Sequence, residues 1–369
     1  MTPPRPLRVA CLTSARGWRG SGVSLAKIAA GLAARGHHSH MFAGSETVLR
    51  AFASLGLPTS FVPTASTGLR EAWALRRKLA ALGTDVILAD RPRDLRLAAL
   101  ASLGRATSVV YRYNHSVLGA PLGLSTRLFF RRARGCIYQA ERVRDQAVTR
   151  APWLAARPSW VIPNGFDLAR FAPDLEAGHA FRARYSIAPD AVLILTVAAL
   201  ERGKGHEVAM EALGRIDGSG RPVYLVCGVG RREANLRADA TRRRLATLFV
   251  GHLEADDLVG AYNAADLVVH PSQEDIFPNA VGEAMACARA VIASDVGGVG
   301  ELLGRDGVAG LLVPPGDVAA LAEAMRVLLA DPPRRGAVAA AARARIEARG
   351  TLARMVDEYE AVFYQTVGA

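Results

Sequence analysis

The sequence predicts an α/β protein whose domains are each built on a parallel sheet with helices on both faces. Three observations lead there. Short apolar runs of strand length alternate with longer amphipathic stretches, and the alternation is repeated many times. That order makes parallel sheets, because each strand-to-strand crossover passes through a helix. The runs are apolar nearly throughout, as in strands covered on both faces. The pattern pauses once, around residues 163–173, and then restarts. A chain of 369 residues has room for two or three domains, each with its own core.

The first half begins with Leu7–Leu12, a buried strand ending at Thr13 and Ser14. A glycine-rich loop over Gly17, Gly20 and Gly22 follows, then a helix from Val23 to Arg35 closed by Gly36. Strand, glycine loop and helix in that order can cradle a phosphate, although the spacing is not G-x-G-x-x-G and a plain connecting loop fits equally well. Strands are expected at 39–43, 60–62, 86–89 and 107–113, with helices at 47–55, 69–82 and 95–103 between them. Ligands of such sheets bind beyond the C-terminal strand ends, where Ser14, Asp90, His115 and Ser116 fall. Residues 121–135, PLGLSTRLFFRRARG, set four arginines beside Leu124, Leu128, Phe129 and Phe130. Such a basic amphipathic helix suits an anionic membrane surface, and equally an ordinary helix with one face buried and one solvated. A strand at 136–139 and one at 159–162 lead into Pro163-Asn164-Gly165, a turn sequence.

The second half restarts with a strand at 191–198, followed by the loop Leu200-Glu201-Arg202-Gly203-Lys204-Gly205-His206 and a helix to Leu213. Strands at 223–227, 248–250 and 266–270 alternate with helices at 231–244 and 256–264. Residues 310–317 precede a further helix, and 352–367 form a terminal one.

Composition narrows the classes. The formal net charge is +12, from 46 basic against 34 acidic residues, which favours anionic partners. An Arg- and Ala-rich chain is also what a GC-rich genome encodes. No interleaving of aromatic and basic residues supports nucleic-acid binding. Cys11, Cys136, Cys227 and Cys287 are far apart in apolar surroundings, so they read as buried hydrophobes in a reducing compartment, without metal-ligand spacing. No signal segment or membrane-spanning run is evident, so a cytoplasmic protein, at most peripheral on the membrane, is expected.

The most informative stretch is residues 272–298, SQEDIFPNAVGEAMACARAVIASDVGG. It reads as loop, helix, strand and tight turn. Pro278 suits the first helical turn, and Asn279 or Asp275 could cap the free N–H groups there. Ala280, Ala284 and Ala288 recur every four residues, giving a small face that packs close to a sheet. The helix N-terminus offers a phosphate its unpaired N–H groups and positive dipole end.

Asp275, Phe277, Pro278, Asn279, Glu283 and Ala284-Met285-Ala286 resemble the donor-sugar motif of the retaining group-one (family four) glycosyltransferases, in which an acidic residue, seven residues and a Glu precede Ala-Met-Ala. Ala288 and Ala290 stand where that family shows Gly and Pro. The run 161–167 resembles the segment closing the family's first domain. Gly297, Gly298 and Glu301 resemble its Gly-Gly-x-x-Glu.

The resemblance implies two Rossmann-like domains facing a cleft, the B-type fold, over residues 1–172 and 173–351, with the helix at 352–369 packing back on the first. It implies a retaining transferase for a nucleoside-diphosphate sugar, UDP- or GDP-linked, acting in polysaccharide or lipopolysaccharide synthesis on a glycan or lipid-linked acceptor. Asp275 and His115 are the implied catalytic residues. His115 could instead serve to satisfy strand-end carbonyls. The implied donor-binding set is Gly20, Ser21, Gly22, Arg202, Lys204, Gly251, His252, Phe277, Pro278, Asn279 and Glu283. The family's second diphosphate-binding residue, an Arg, falls on Ala199, so Arg202 is expected to supply that charge. A surface lysine in a turn is the plain reading of Lys204. No cofactor or metal is expected; Lys204, Arg202 and the helix N-terminus would stabilise the leaving diphosphate. A same-fold sugar-nucleotide epimerase or phosphorylase, and a basic nucleic-acid-binding protein, are the alternatives.

Overall fold

The computed structural model describes residues 5–18, 20–64, 66–114, 124–216 and 222–368. The chain divides into two compact units, residues 1–165 with 352–369, and residues 166–351. The division thus falls earlier than residue 172.

The first unit holds β1 (Arg8–Thr13), β2 (His38–Ala43), β3 (Thr59–Phe61), β4 (Val86–Ala89), β5 (Ser108–Arg112), β6 (Ala133–Tyr138) and β7 (Ser159–Val161). They form one parallel sheet in the order β3-β2-β1-β4-β5-β6-β7. The direction of winding reverses between β1 and β4, so the loops after these two strands open a crevice at the C-terminal edge. Leu25, Ile28, Ala29 and Leu32 of the helix Gly20–Ala34 pack into the core over this sheet. Against the same helix lies Leu352–Val367, whose buried face is Met355, Val356, Tyr359 and Phe363. Gly31 permits the contact, since a Cβ there would come within 2.3 Å of Val356. Arg35 and His37 add a pair of bonds to Glu360, at 2.7 and 3.0 Å.

Two expectations for this unit need correction. Gly20, Ser21 and Gly22 form the first turn of the helix Gly20–Ala34 rather than a loop before it. The basic segment gives a short helix, Leu124–Phe130, and β6 has begun by Ala133. Arg134 therefore sits in a strand. Arg132 turns inward to donate to the carbonyls of Ser102, Arg105 and Thr107. The backbone carbonyls that need a donor there outweigh the helical pattern of the sequence. Among the described residues, no helix is long and apolar enough to cross a membrane.

The second unit holds β8 (Leu193–Val197), β9 (Val223–Cys227), β10 (Thr247–Gly251), β11 (Leu267–His270), β12 (Val291–Ser294) and β13 (Leu311–Val313), parallel in the order β10-β9-β8-β11-β12-β13. Here the winding reverses between β8 and β11. The loops that leave these strands carry Lys204 and Asp275 respectively, so strand order alone brings together residues far apart in the chain.

Candidate functional site

The loop after β8 is shaped by two glycines. Gly203 and Gly205 hold left-handed backbones, φ +81° and +73°, that a side chain would strain. At Gly205 a Cβ would meet the Pro271 carbonyl oxygen at 1.8 Å. With no side chain there, the loop nests on the backbone after β11: Gln273 N–H donates to Gly203 O at 2.7 Å, and Ser272 Oγ donates to it at 3.2 Å. Lys204, between the glycines, reaches Asp275 Oδ2 at 2.8 Å.

Asp275 is the hub. Its Oδ2 also lies 3.3 Å from His270 Nε2, and its Oδ1 accepts the Ile276 N–H at 3.0 Å. Burial disfavours its charged form, yet the hydrogen bond from His270 and the charge of Lys204 outweigh burial and hold the carboxyl well below the usual carboxylate range. The pair is reachable: the Lys204 and Asp275 side chains are 29% and 19% exposed. His206, just past Lys204, is buried and bonds through Nε2 to the Ala199 carbonyl at 3.1 Å. Burial lowers the pKa of its ring.

A glycine turn clamps the Asp275 loop from the other side. Gly297 has φ +49°, and a Cβ on it would stand 2.1 Å from Asp275 O. Gly298 N–H donates to Ile276 O at 2.8 Å.

The helix Asn279–Ala286 starts from this clamped loop. Pro278 occupies its N-cap position, and no side chain caps it, so Asn279 and Asp275 do not take that role. A proline there brings no side-chain acceptor, and both Asp275 oxygens have other donors. Phe277 and Pro278 are buried. Glu283 lies within the helix, 7% exposed, and Tyr262 Oη donates to its Oε2 at 3.1 Å. Burial and the Glu283 charge push the Tyr262 hydroxyl well above its ordinary pKa. Phe166 packs under the helix at Gly282, where a Cβ would overlap its ring. The helix ends with Cys287, and Ala288 then takes φ +50°, the left-handed position that glycine usually fills.

Lys204, Asp275, Pro278, Asn279 and Glu283 thus share one strand edge of the second unit. Four expected residues remain: Arg202, Gly251, His252 and His115. Arg202 is exposed, and its side chain makes no hydrogen bond or ion pair among the described residues. Gly251 ends β10, and the side chain of His252 after it is 61% exposed, with Glu254 at 3.8 Å as its neighbour. His115 lies outside the described residues. Sequence reading missed His270, His206 and Tyr262. His270 had a signal: a histidine that ends an apolar strand at a switch point has its ring where ligands bind.

The matching edge of the first unit is also charged. Asp90 and Arg112, both about 1% exposed, pair at 2.8 Å. Thr13 and Asn114 donate to Asp90, and Arg112 donates to Ser24 Oγ at 2.8 Å and to Ser21 O at 3.1 Å. Ser24 in turn donates to Asn164 at 2.7 Å. Asp94 is buried nearby; burial and the Asp90 charge push its carboxyl well above the usual range, against hydrogen bonds from Ser14. Among the described residues no group of three or more His, Cys, Asp or Glu is placed to hold a metal ion.

Comparison with known proteins identifies the family and the fold. Residues 18–170 match the family model described as Glycosyltransferase Family 4, and residues 179–345 match that of Glycosyl transferases group 1. The chain is similar to a D-inositol 3-phosphate glycosyltransferase of Xylanimonas cellulosilytica, 36% identical over 192 residues, 50% of this chain and 46% of that protein. It is also similar to a GDP-mannose-dependent monoacylated alpha-(1-6)-phosphatidylinositol monomannoside mannosyltransferase of Corynebacterium glutamicum, 33% identical over 197 residues, 51% of each. The chain spans about half the length of the curated relatives it matches. In fold it is similar to Anabaena Alr3699/HepE, solved in complex with UDP-glucose, with a TM-score of 0.86 at 19% identity over 97% of this chain and 100% of that one.

Proposed function

Because the chain belongs to the group 1, family 4 glycosyltransferases with the B-type fold, we propose that it is a retaining transferase moving a sugar from a nucleoside-diphosphate sugar to a lipid-linked or cell-envelope acceptor. The observation that carries the donor half is the partly exposed Lys204–Asp275 pair beside the helix start at Pro278–Asn279, which no side chain caps. Lys204 is a mobile point charge that can leave Asp275 for a diphosphate, and the first-turn N–H groups add their dipole. As the bond from the sugar to the diphosphate breaks, charge grows on the leaving phosphate, where these groups stabilise it without a metal. The acceptor oxygen attacks from the same face and its proton goes to the leaving phosphate. Asp275 contacts the sugar, with His115 as its partner in that role, while Glu283 binds the ribose.

The relatives named for an inositol phosphate and for an acylated mannoside support an acceptor of that class. The first unit is assigned the acceptor and the second the nucleotide sugar. The peripheral membrane reading rests on the net charge of +12 and on Arg127, Arg131 and Leu128, all exposed near residue 128.

The test is a thermal-shift screen of UDP- and GDP-sugars, followed by transfer assays with EDTA present. A ligand bound to the folded state raises the melting temperature. A hit whose shift falls in Lys204→Ala, with transfer sustained in EDTA, supports the reading. Equal shifts in the two chains exclude Lys204 as the diphosphate ligand. Activity lost in EDTA and restored by Mg²⁺ excludes the metal-free route.

A further inference from the structure

Three arginines, Arg127, Arg131 and Arg157, line one cavity of about 180 Å³ in the first unit, together with Phe130 and Trp153. Arg127 and Arg131 are one helical turn apart where the helix Leu124–Phe130 ends. Arg157 comes from the stretch after the 3-10 turn Pro152–Leu154. It is held in place by donating to the carbonyls of Phe130 and Ala133, the latter at 2.9 Å. Its Nε is buried and has no hydrogen-bond partner. Phe130 and Trp153 meet edge to face at 5.0 Å and make the apolar wall.

None of the three arginines has a carboxylate partner among the described residues. Elsewhere the chain pairs its arginines freely, as in Arg144 with Glu141 and Arg237 with Glu233. Like charges lining one pocket repel, and an anion bearing more than one oxygen relieves that. Guanidinium forks match phosphate geometry and bind it through paired N–H groups. The place is also separate from the transfer edge. Arg131 and Phe130 precede β6, and Trp153 and Arg157 precede β7, so the cavity lies at the N-terminal edge of a parallel sheet. Thr13, Asp90 and Asn114 lie at the opposite edge.

We propose that this cavity binds a phosphate group, carried by a phospholipid headgroup or by a small soluble phosphate. The inference does not rest on the donor site.

The test uses the full chain carrying Lys204→Ala, so that phosphate binding at the second unit does not enter the readout. Into it go Arg127→Gln with Arg131→Gln, both exposed positions. The control is Arg50→Gln with Arg70→Gln, exposed residues elsewhere on the same unit that remove equal charge. The probes are inorganic phosphate, read by thermal shift, and vesicles of phosphatidylglycerol in phosphatidylcholine, read by sedimentation. Loss of charge-assisted bonds should weaken binding at least about tenfold in the pocket variant and leave the control like its parent. A variant-sensitive response to inorganic phosphate, without one to vesicles, assigns a soluble ligand. A variant-sensitive response to vesicles assigns a headgroup. Equal responses of parent and pocket variant to both probes overturn the site, as does an equal loss in the control.

Discussion

Gly297→Ala is the sharpest probe of how the Asp275 loop is held. The new Cβ would stand 2.1 Å from Asp275 O and 2.6 Å from Ile276 O, both backbone atoms that cannot swing away. Relieving the overlap moves one segment by roughly 1 Å, the difference from an ordinary close contact. The left-handed backbone, φ +49°, adds about 1–2 kcal/mol for any L side chain. Overpacking adds about 1–3 kcal/mol, so a loss of about 2–5 kcal/mol is expected in urea melts. The larger effect should be on function. A 1 Å shift of Asp275 stretches its 2.8 Å bond to Lys204 beyond hydrogen-bond range. Misplacement on that scale in a reacting constellation costs about 100-fold in rate. Gly36→Ala is the control: its φ is +86°, but nothing lies within 4 Å of the added Cβ. It should lose stability through the backbone alone and keep its turnover. The assay is kcat for the donor identified by thermal shift, beside denaturation of each variant. If Gly297→Ala is destabilised as calculated yet keeps kcat within a factor of a few, the clamp is structural and its link to transfer is wrong.

Three further outcomes are expected. Asp275 has a folded pKa below its ordinary value of 3.8, so its carboxylate contributes stability above that value and loses it as pH falls toward the lower folded pKa. The parent's melting midpoint should therefore drop more steeply than that of Asp275→Asn between about pH 5 and pH 3, and parallel curves would contradict it. Asp94 has the opposite sign: its folded pKa is raised, so the folded chain keeps a proton that the unfolded chain releases, and stability falls as pH rises above the ordinary value. Asp94→Asn mimics the protonated acid and should gain on the parent from about pH 4 to pH 7, whereas a constant offset would refute the shift. Ala288→Gly should raise stability by about 1 kcal/mol in a urea melt, because Ala288 sits at φ +50°; no change would mean the helix end relaxes at no cost.

The strands were legible because their runs are apolar on both faces. The runs at 86–89 and 223–227 coincide with β4 and with β9 in the second unit. Helices with little apolar content were not: Glu141–Arg150 buries just Val143 and Ala147. Pro332–Arg349 did carry a signal, Asp331 before Pro332, and Asp331 indeed accepts the Arg334 N–H. Within the site, the position of the acidic motif followed from its local order of loop, helix and strand. The bond between Lys204 and Asp275 did not, because it depends on β8 lying beside β11, and the order of strands in a sheet is a tertiary fact. Arg112 was readable in hindsight. A charged residue in the fully buried strand SVVYR needs a buried counter-charge. Asp90, just past the end of the adjacent strand, is the one it has.

The two switch points solve the same electrostatic problem in different ways, and the difference argues for where an anion can bind. Asp90 and Arg112 are each about 1% exposed, and their remaining polar atoms are bonded to Thr13, Asn114, Ser24 and Ser21. Drawing Arg112 away would strand a buried carboxylate, a cost of about 3–5 kcal/mol. That pair is therefore a fixed brace for the first turn of the helix Gly20–Ala34. Lys204 and Asp275 are several-fold more exposed, and when Lys204 leaves, Asp275 keeps its bonds from His270 and Ile276. Lys204 also sits between two left-handed glycines, so its loop adapts without side-chain clashes. A cation that can exchange its carboxylate for a phosphate at little cost is what a site needs if it must bind a diphosphate and then release it.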